Sequence, residues 1–219
     1  MKIKVCGMKH PDNIAEVAAL QPDYLGFIYW DKSPRYFTGD TPSLPATVKK
    51  AGVFVDASLT DILEKVKDMS LDLIQLHGNE TSEFCGRLKK ELNNGKLLGE
   101  IETVNIEIIK AIGIGESYSF KDLKPYEAHV DYFLFDTKGP LPGGNGFAFN
   151  WELLKSYSLD TPFFLSGGIG LSDLDKLGSF LNSSLAAKCH AIDVNSAFEI
   201  QPGLKNKEAL ETFIKKLKH

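Results

Sequence analysis
The chain has 219 residues, 43% of them hydrophobic and 25% charged, with a net charge of −4, enough length to bury a full core without disulfides or structural metal. The acidic balance argues against nucleic-acid binding, and with neither a secretory h-region nor a long apolar run the expectation is a cytoplasmic protein that binds no membrane. Cys6, Cys85 and Cys189 form no disulfide framework, and the five histidines are scattered without metal-ligand spacing, so no metal is expected.

Short apolar, β-branched runs alternate with amphipathic stretches from end to end, the rhythm of βα units on a parallel sheet. The first strand is expected at Ile3–Cys6 and the first helix at Pro11–Leu20, with Pro11 and Asp12 in its opening turn. A second strand, Tyr24–Ile28, leads into a loop carrying Lys32-Ser33-Pro34-Arg35. A third, Lys50–Val55, reaches Ser58, a good N-cap for a helix running to Met69. The fourth strand, Asp72–Leu76, is followed by His77-Gly78 and a helix over Thr81–Leu92.

Two stretches, Gly95–Ile101 and Glu107–Ile112, read as strands where the alternation has room for one. The second is preferred as strand five, and the first is treated as an extended connection. Strand six spans His129–Phe135 and ends at Asp136; the Gly/Pro-rich loop Thr137–Gly146 and a helical Trp151–Tyr157 follow. Strand seven, Pro162–Leu165, meets Ser166-Gly167-Gly168. Strand eight, Ala191–Val194, meets Asn195-Ser196, and Lys207–Leu217 closes the chain as a helix. Eight strands with about eight helices and no composition break predict the α/β class: a single-domain (β/α)8 TIM barrel over 1–219. An open doubly wound sheet has the same periodicity and is the competing architecture.

Every polar cluster in this order follows a strand, and in a closed parallel barrel all of them meet at the C-terminal face. Cys6 places a thiol there, able to act as base or nucleophile once ionised, or else to fill the core as cysteines often do. Asp136 ends the apolar run Tyr132-Phe133-Leu134-Phe135, where a poorly solvated carboxyl suits a general acid; its plainer role is to cap the next turn. Arg35 can fork onto a carboxylate. His77 and Gln75, two apart, share a strand face, as do Cys6 and Lys4. A lysine pointing into a barrel needs a partner, and Asp193 is the candidate. Lys4 would favour a Cys6 thiolate. Gly167-Gly168 and Asn195-Ser196 lie after strands seven and eight, where barrels often hold phosphate on backbone N–H groups.

Taken together, the ordered segments Lys4-Val5-Cys6-Gly7, Gly26-Phe27-Ile28 with Ser33-Pro34-Arg35-Tyr36, Gly52-Val53-Phe54-Val55, Gln75-Leu76-His77-Gly78-Asn79-Glu80, Phe135-Asp136-Thr137 with Gly143-Gly144-Asn145-Gly146, Leu165-Ser166-Gly167-Gly168 and Asp193-Val194-Asn195-Ser196 resemble the phosphoribosylanthranilate isomerase family over the whole chain. The resemblance implies an aldose–ketose isomerase of tryptophan biosynthesis. It would convert N-(5-phosphoribosyl)anthranilate to 1-(2-carboxyphenylamino)-1-deoxyribulose 5-phosphate by an Amadori rearrangement, without cofactor or metal. It further implies Asp136 as general acid, Cys6 as general base and Arg35 on the anthranilate carboxylate, while His77, from its place after strand four, is expected either to hydrogen-bond or stack in the site or to be a satisfied structural histidine. Gly167, Gly168, Asn195 and Ser196 would hold the phosphate. A monomer or homodimer is expected. Asn145, Asn195 and Ala197 depart from the family pattern. Where the family has glycine, an alanine at 197 would either crowd a phosphate held by the backbone N–H or rule out a positive φ. The alternatives are another phosphosugar barrel, of epimerase or indole-glycerol-phosphate synthase type, and a non-catalytic barrel that binds a phosphorylated ligand.

Overall fold
The computed structural model describes residues 1–40, 43–94, 105–138 and 149–218. Eight parallel strands close in sequence order: β1 (Lys2–Val5), β2 (Tyr24–Ile28), β3 (Lys49–Phe54), β4 (Leu73–Leu76), β5 (Glu107–Ile114), β6 (Tyr132–Thr137), β7 (Phe163–Leu165) and β8 (Cys189–Val194). The ring is completed by β1 on β8, with Lys4 opposite Asp193 and Val5 opposite Val194. Closure decides between the two architectures that periodicity leaves open.

Strand alternation divides the apolar residues into two groups. Tyr24, Ala51, Leu73, Ile109, Ala111, Leu134, Phe164 and Ala191 pack together inside the barrel. Their neighbours along the strands, such as Ile3, Val5, Phe27, Ile74, Phe133 and Ile192, face outward and join the helices in the larger core. Two residues further along the inward face, apolar side chains give way to Gln75, Asp136, Ser166 and Asp193. The interior is therefore a packed apolar floor beneath a polar C-terminal mouth.

The helices α1 (Pro11–Ala18), α2 (Leu59–Met69), α3 (Ser82–Asn94), α4 (Leu174–Leu181) and α5 (Lys207–Lys218) cover the outside. Ser58 caps α2 as expected, its hydroxyl accepting from the Asp61 N–H at 3.2 Å. Proline opens α1. After β5 and β6 the covering element is a 3₁₀ segment instead, Phe120–Tyr126 and Trp151–Ser156, the first of them containing Pro125, which cannot donate to a continuing α-helix. Among the described residues no helix lies between β2 and β3.

Several boundaries differ from the sequence expectation. β6 starts at Tyr132 because His129 and Val130 donate to the Tyr126 carbonyl in a turn, and it runs through Asp136 to Thr137. β1 ends one residue before Cys6, although the Cys6 N–H still bonds the Val194 carbonyl at 2.8 Å. The stretch Gly95–Ile101 and most of the loop Thr137–Gly146, including Asn145, lie outside the described residues. The sequence reading lacks α4 and the small antiparallel pair β9 (Glu199–Gln201) and β10 (Leu204–Lys205) after β8. No helix among the described residues is long and apolar enough to cross a membrane.

Candidate active site
A pocket opens at the C-terminal mouth. Seven of the eight residues singled out in the sequence line it: Cys6, Arg35, His77, Asp136, Gly168, Asn195 and Ser196. Gly167 stands behind the lining. Its φ is +100°, and a Cβ there would lie 2.5 Å from the Thr137 hydroxyl, so it is glycine to let the loop press against the end of β6. Gly168 also has a positive φ, +67°. Ile28, Trp30, Val53 and Val55 give the pocket an apolar wall.

Cys6 sits on β1's inward face, 4% exposed, with Lys4 beneath it. The Lys4 ammonium donates to Asp193 at 2.7 Å, and Asp193 also accepts from the Ser166 hydroxyl at 3.1 Å. Burial pushes Lys4 down, and the Asp193 carboxylate more than restores it, so the lysine is held above its ordinary value. For Cys6 the balance goes the other way. Burial pushes the thiol up, and although the cations of Lys4 and Lys205 pull it back, burial prevails. Lys4 thus favours the thiolate as the sequence suggests, but burial outweighs it and favours the thiol. Gly26 makes room for it: a Cβ on Gly26 would lie 2.9 Å from the Cys6 sulfur.

Across the mouth, Asp136 is 8% exposed. One carboxylate oxygen accepts from the Thr137 N–H at 2.8 Å, the local cap that sequence alone suggests. The other faces the His77 Nε2 at 3.6 Å. The His77 Nδ1 in turn lies 3.2 Å from the Gln75 amide nitrogen. An amide N–H that donates to Nδ1 makes Nε2 the protonated nitrogen of a neutral ring, so His77 presents a donor to Asp136.

Arg35 already grips a carboxylate, that of Glu199 at the start of β9. Nε donates at 2.8 and 3.1 Å and Nη2 at 2.7 Å, leaving the Nη1 edge with no partner among the described residues. Asn195 is held by Lys205 of β10, whose ammonium donates to its side-chain oxygen at 2.6 Å. Gly7, with φ +75°, lets the chain pass between them, since a Cβ there would lie 2.7 Å from Asn195 Oδ1 and 2.8 Å from Arg35 Cδ. Ala197 lies within the short 3₁₀ turn Ser196–Phe198 and needs no positive φ. Its methyl faces the bare Cα of Gly170.

Ser166, Glu199 and Lys205 are absent from the sequence-derived site. Ser166 had a signal, its place two residues beyond Phe164 on the inward face. Glu199 and Lys205 had none, because the hairpin that carries them has no periodicity of its own.

The family model described as N-(5′-phosphoribosyl)anthranilate isomerase matches residues 3–216. A Parabacteroides distasonis protein named N-(5′-phosphoribosyl)anthranilate isomerase is 40% identical, over 100% of this chain and 94% of its own length. The crystal structure of the Thermus thermophilus phosphoribosyl anthranilate isomerase superposes with a TM-score of 0.77 at 25% identity, covering 100% of this chain and 98% of that one. Another phosphoribosyl anthranilate isomerase, crystallised with reduced 1-(o-carboxyphenylamino)-1-deoxyribulose 5-phosphate, has a TM-score of 0.72 at 25% identity with the same coverage. With a full-length family match on a closed eight-stranded barrel, the chain belongs to the N-(5′-phosphoribosyl)anthranilate isomerase family.

Proposed function
We propose that this enzyme converts N-(5-phosphoribosyl)anthranilate to 1-(2-carboxyphenylamino)-1-deoxyribulose 5-phosphate, with Cys6 as base and Asp136 as acid. The observation that carries the reading is that a thiol and a carboxyl, at the ends of β1 and β6, line one pocket with Arg35 and the Ser196 loop. Asp136, in its protonated form, gives its proton to the ribose ring oxygen as the C1′–O bond breaks, leaving a Schiff-base cation on the anthranilate nitrogen. Cys6 then removes the C2′ proton, and the electron pair moves into the C1′–C2′ bond to give an enolamine. Cys6 returns its proton to C1′ while the C2′ hydroxyl gives its proton to the Asp136 carboxylate, which completes the ketone and restores both groups.

The buried thiol fits this order. Burial holds the Cys6 thiol up, and the Schiff-base cation nearby favours the thiolate, the form that takes the C2′ proton. The Nη1 edge of Arg35 binds the anthranilate carboxylate, and His77 orients Asp136. Trp30, Val53 and Val55 offer the aromatic ring an apolar wall. Backbone N–H groups at Gly168, Asn195 and Ser196 take the phosphate. The enzyme acts in the cytoplasm as a monomer or homodimer and binds no nucleic acid.

The test generates the substrate in situ and follows loss of its anthranilate-type fluorescence. Wild type should turn over, while Cys6→Ala and Asp136→Asn should each lose at least about a hundredfold in kcat. An inactive wild type would sink the reaction assignment, and full activity in either variant would remove that residue from its role.

A further inference from the structure
Three charges, half-buried Arg35 and the buried side chains of Glu199 and Lys205, lie beside the pocket, and the reaction uses only the first. The Glu199 carboxylate accepts from Arg35 Nε at 2.8 and 3.1 Å and Nη2 at 2.7 Å, from the Lys205 ammonium at 2.7 Å and from the Gly203 N–H at 3.0 Å. Lys205 also donates to the Asn195 side-chain oxygen at 2.6 Å and the Asn195 carbonyl at 3.3 Å. Its backbone is bolted to Asn13 of α1, the Lys205 N–H donating at 2.7 Å and the Asn13 amide donating back at 3.0 Å. The side chains of Glu199 and Lys205 are 5% and 0% exposed, so neither is a solvated surface charge. Two cations, one of them fully buried, on one carboxylate leave a net positive unit at the pocket edge, where anionic groups of a substrate arrive.

We propose that Glu199 is a positioning residue shared by both ends of the substrate, aiming Arg35 at the carboxylate directly and holding the Asn195 phosphate loop through Lys205. The proposal rests on the assignments of Arg35 and Asn195 under Proposed function. Glu199 occupies the Nε–Nη2 fork of the guanidinium, which turns the Nη1 edge outward. The same carboxylate fixes the ammonium that holds Asn195. One hairpin, β9–β10, thereby sets the spacing between two recognition points that come from opposite ends of the chain.

The test is a functional-group cycle. Affinities of the reduced product analogue, its dephosphorylated form and its decarboxylated form are measured by calorimetry for wild type and Glu199→Gln, alongside steady-state turnover. In wild type, removing either anionic group weakens binding strongly. In Glu199→Gln each removal should matter less, by about fivefold or more for both groups, with KM raised and kcat changed less than about threefold. Arg35→Lys should blunt the carboxylate effect alone. If Glu199→Gln does not fold, Lys205→Arg, which keeps the charge but moves it, should blunt the phosphate effect and leave the carboxylate effect closer to wild type. Unchanged cycles in a folded variant, or a loss confined to kcat, would overturn the proposal while leaving the reaction assignment intact. Failure of wild type to turn over would instead strike that assignment.

Discussion

Replacing Gly26 by alanine tests whether the position of the Cys6 sulfur governs turnover. The new Cβ would lie 2.9 Å from the Cys6 Sγ, 3.1 Å from its Cα and 3.3 Å from its Cβ. An unstrained contact between such atoms is about 3.7 Å, so the thiol must retreat by about 0.8 Å. Cys6 is buried within the barrel mouth and lines the pocket, so a displaced sulfur moves at the reaction site. Overpacking of this kind costs about 1–3 kcal/mol, and the stiffer unfolded chain offsets about 0.4–1 kcal/mol because Gly26 does not adopt a left-handed angle. The net loss of stability is therefore small. The kinetic loss is not, since misplacing a reacting group by about 1 Å costs about a hundredfold. Steady-state turnover and urea unfolding on one preparation should give kcat down about thirtyfold or more with no more than about 2.5 kcal/mol lost. Gly52→Ala is the control. Its Cβ would meet Leu71 at 2.5 Å outside the barrel, so it should lose stability and keep kcat. Gly26→Ala turning over within threefold of wild type would refute the argument that the sulfur position is set by that bare Cα.

Three further outcomes are expected. Lys4→Met leaves Asp193 buried and unpaired and should cost about 3–5 kcal/mol, seen as a lower thermal midpoint, with the Cys6 alkylation rate at fixed pH down about tenfold because only the thiolate reacts. An unchanged alkylation rate would show that Lys4 does not assist ionisation; Cys85 and Cys189, pushed by burial to about 11 and about 12, should not compete as sites near pH 8. Glu80→Ala strips a carboxylate from the Lys110 ammonium at 2.9 Å and from the N–H groups of Gly78 and Asp56, a loss of about 3–5 kcal/mol by denaturant titration. Stability within 1 kcal/mol of wild type would mean that the loop after β4 is held by other contacts. His190, pushed down to about 4 by burial and then by the Lys2 ammonium, is neutral in the fold and protonates near 6.5 when unfolded. Its contribution is present above about pH 6.5 and fades as the pH falls towards 4, by about 1 kcal/mol once solvent screening at this half-exposed ring is counted. His190→Gln should flatten the fall in stability between those values, and an unaltered slope would assign it to other groups.

Local chemistry explains what was legible in the sequence. Period-two alternation and the turn residues after each run place Cys6, His77 and Asp136 at strand ends, and Ser58 announces the start of α2, because each signal acts over only a few residues. The 3₁₀ segments after β5 and β6 are less legible. Pro125 within the short, mostly polar stretch Phe120–Tyr126 and the brief run at Trp151 carry too little periodicity to show which helix forms. Ala197 shows the opposite case, a departure from the family pattern that the backbone accommodates at an ordinary φ.

By itself the sequence determined the βα rhythm, the family resemblance and the set of polar groups carried to strand ends. Only the tertiary structure decided that the sheet closes, that burial favours the Cys6 thiol against the pull of Lys4, and that Arg35 is clamped by Glu199. Closure pairs Lys4 with Asp193, 189 residues away, and the hairpin brings Glu199 to Arg35 across 164. Electrostatics at a buried group depend on which charges meet in space and how much water is excluded, and neither quantity is written in the spacing along the chain.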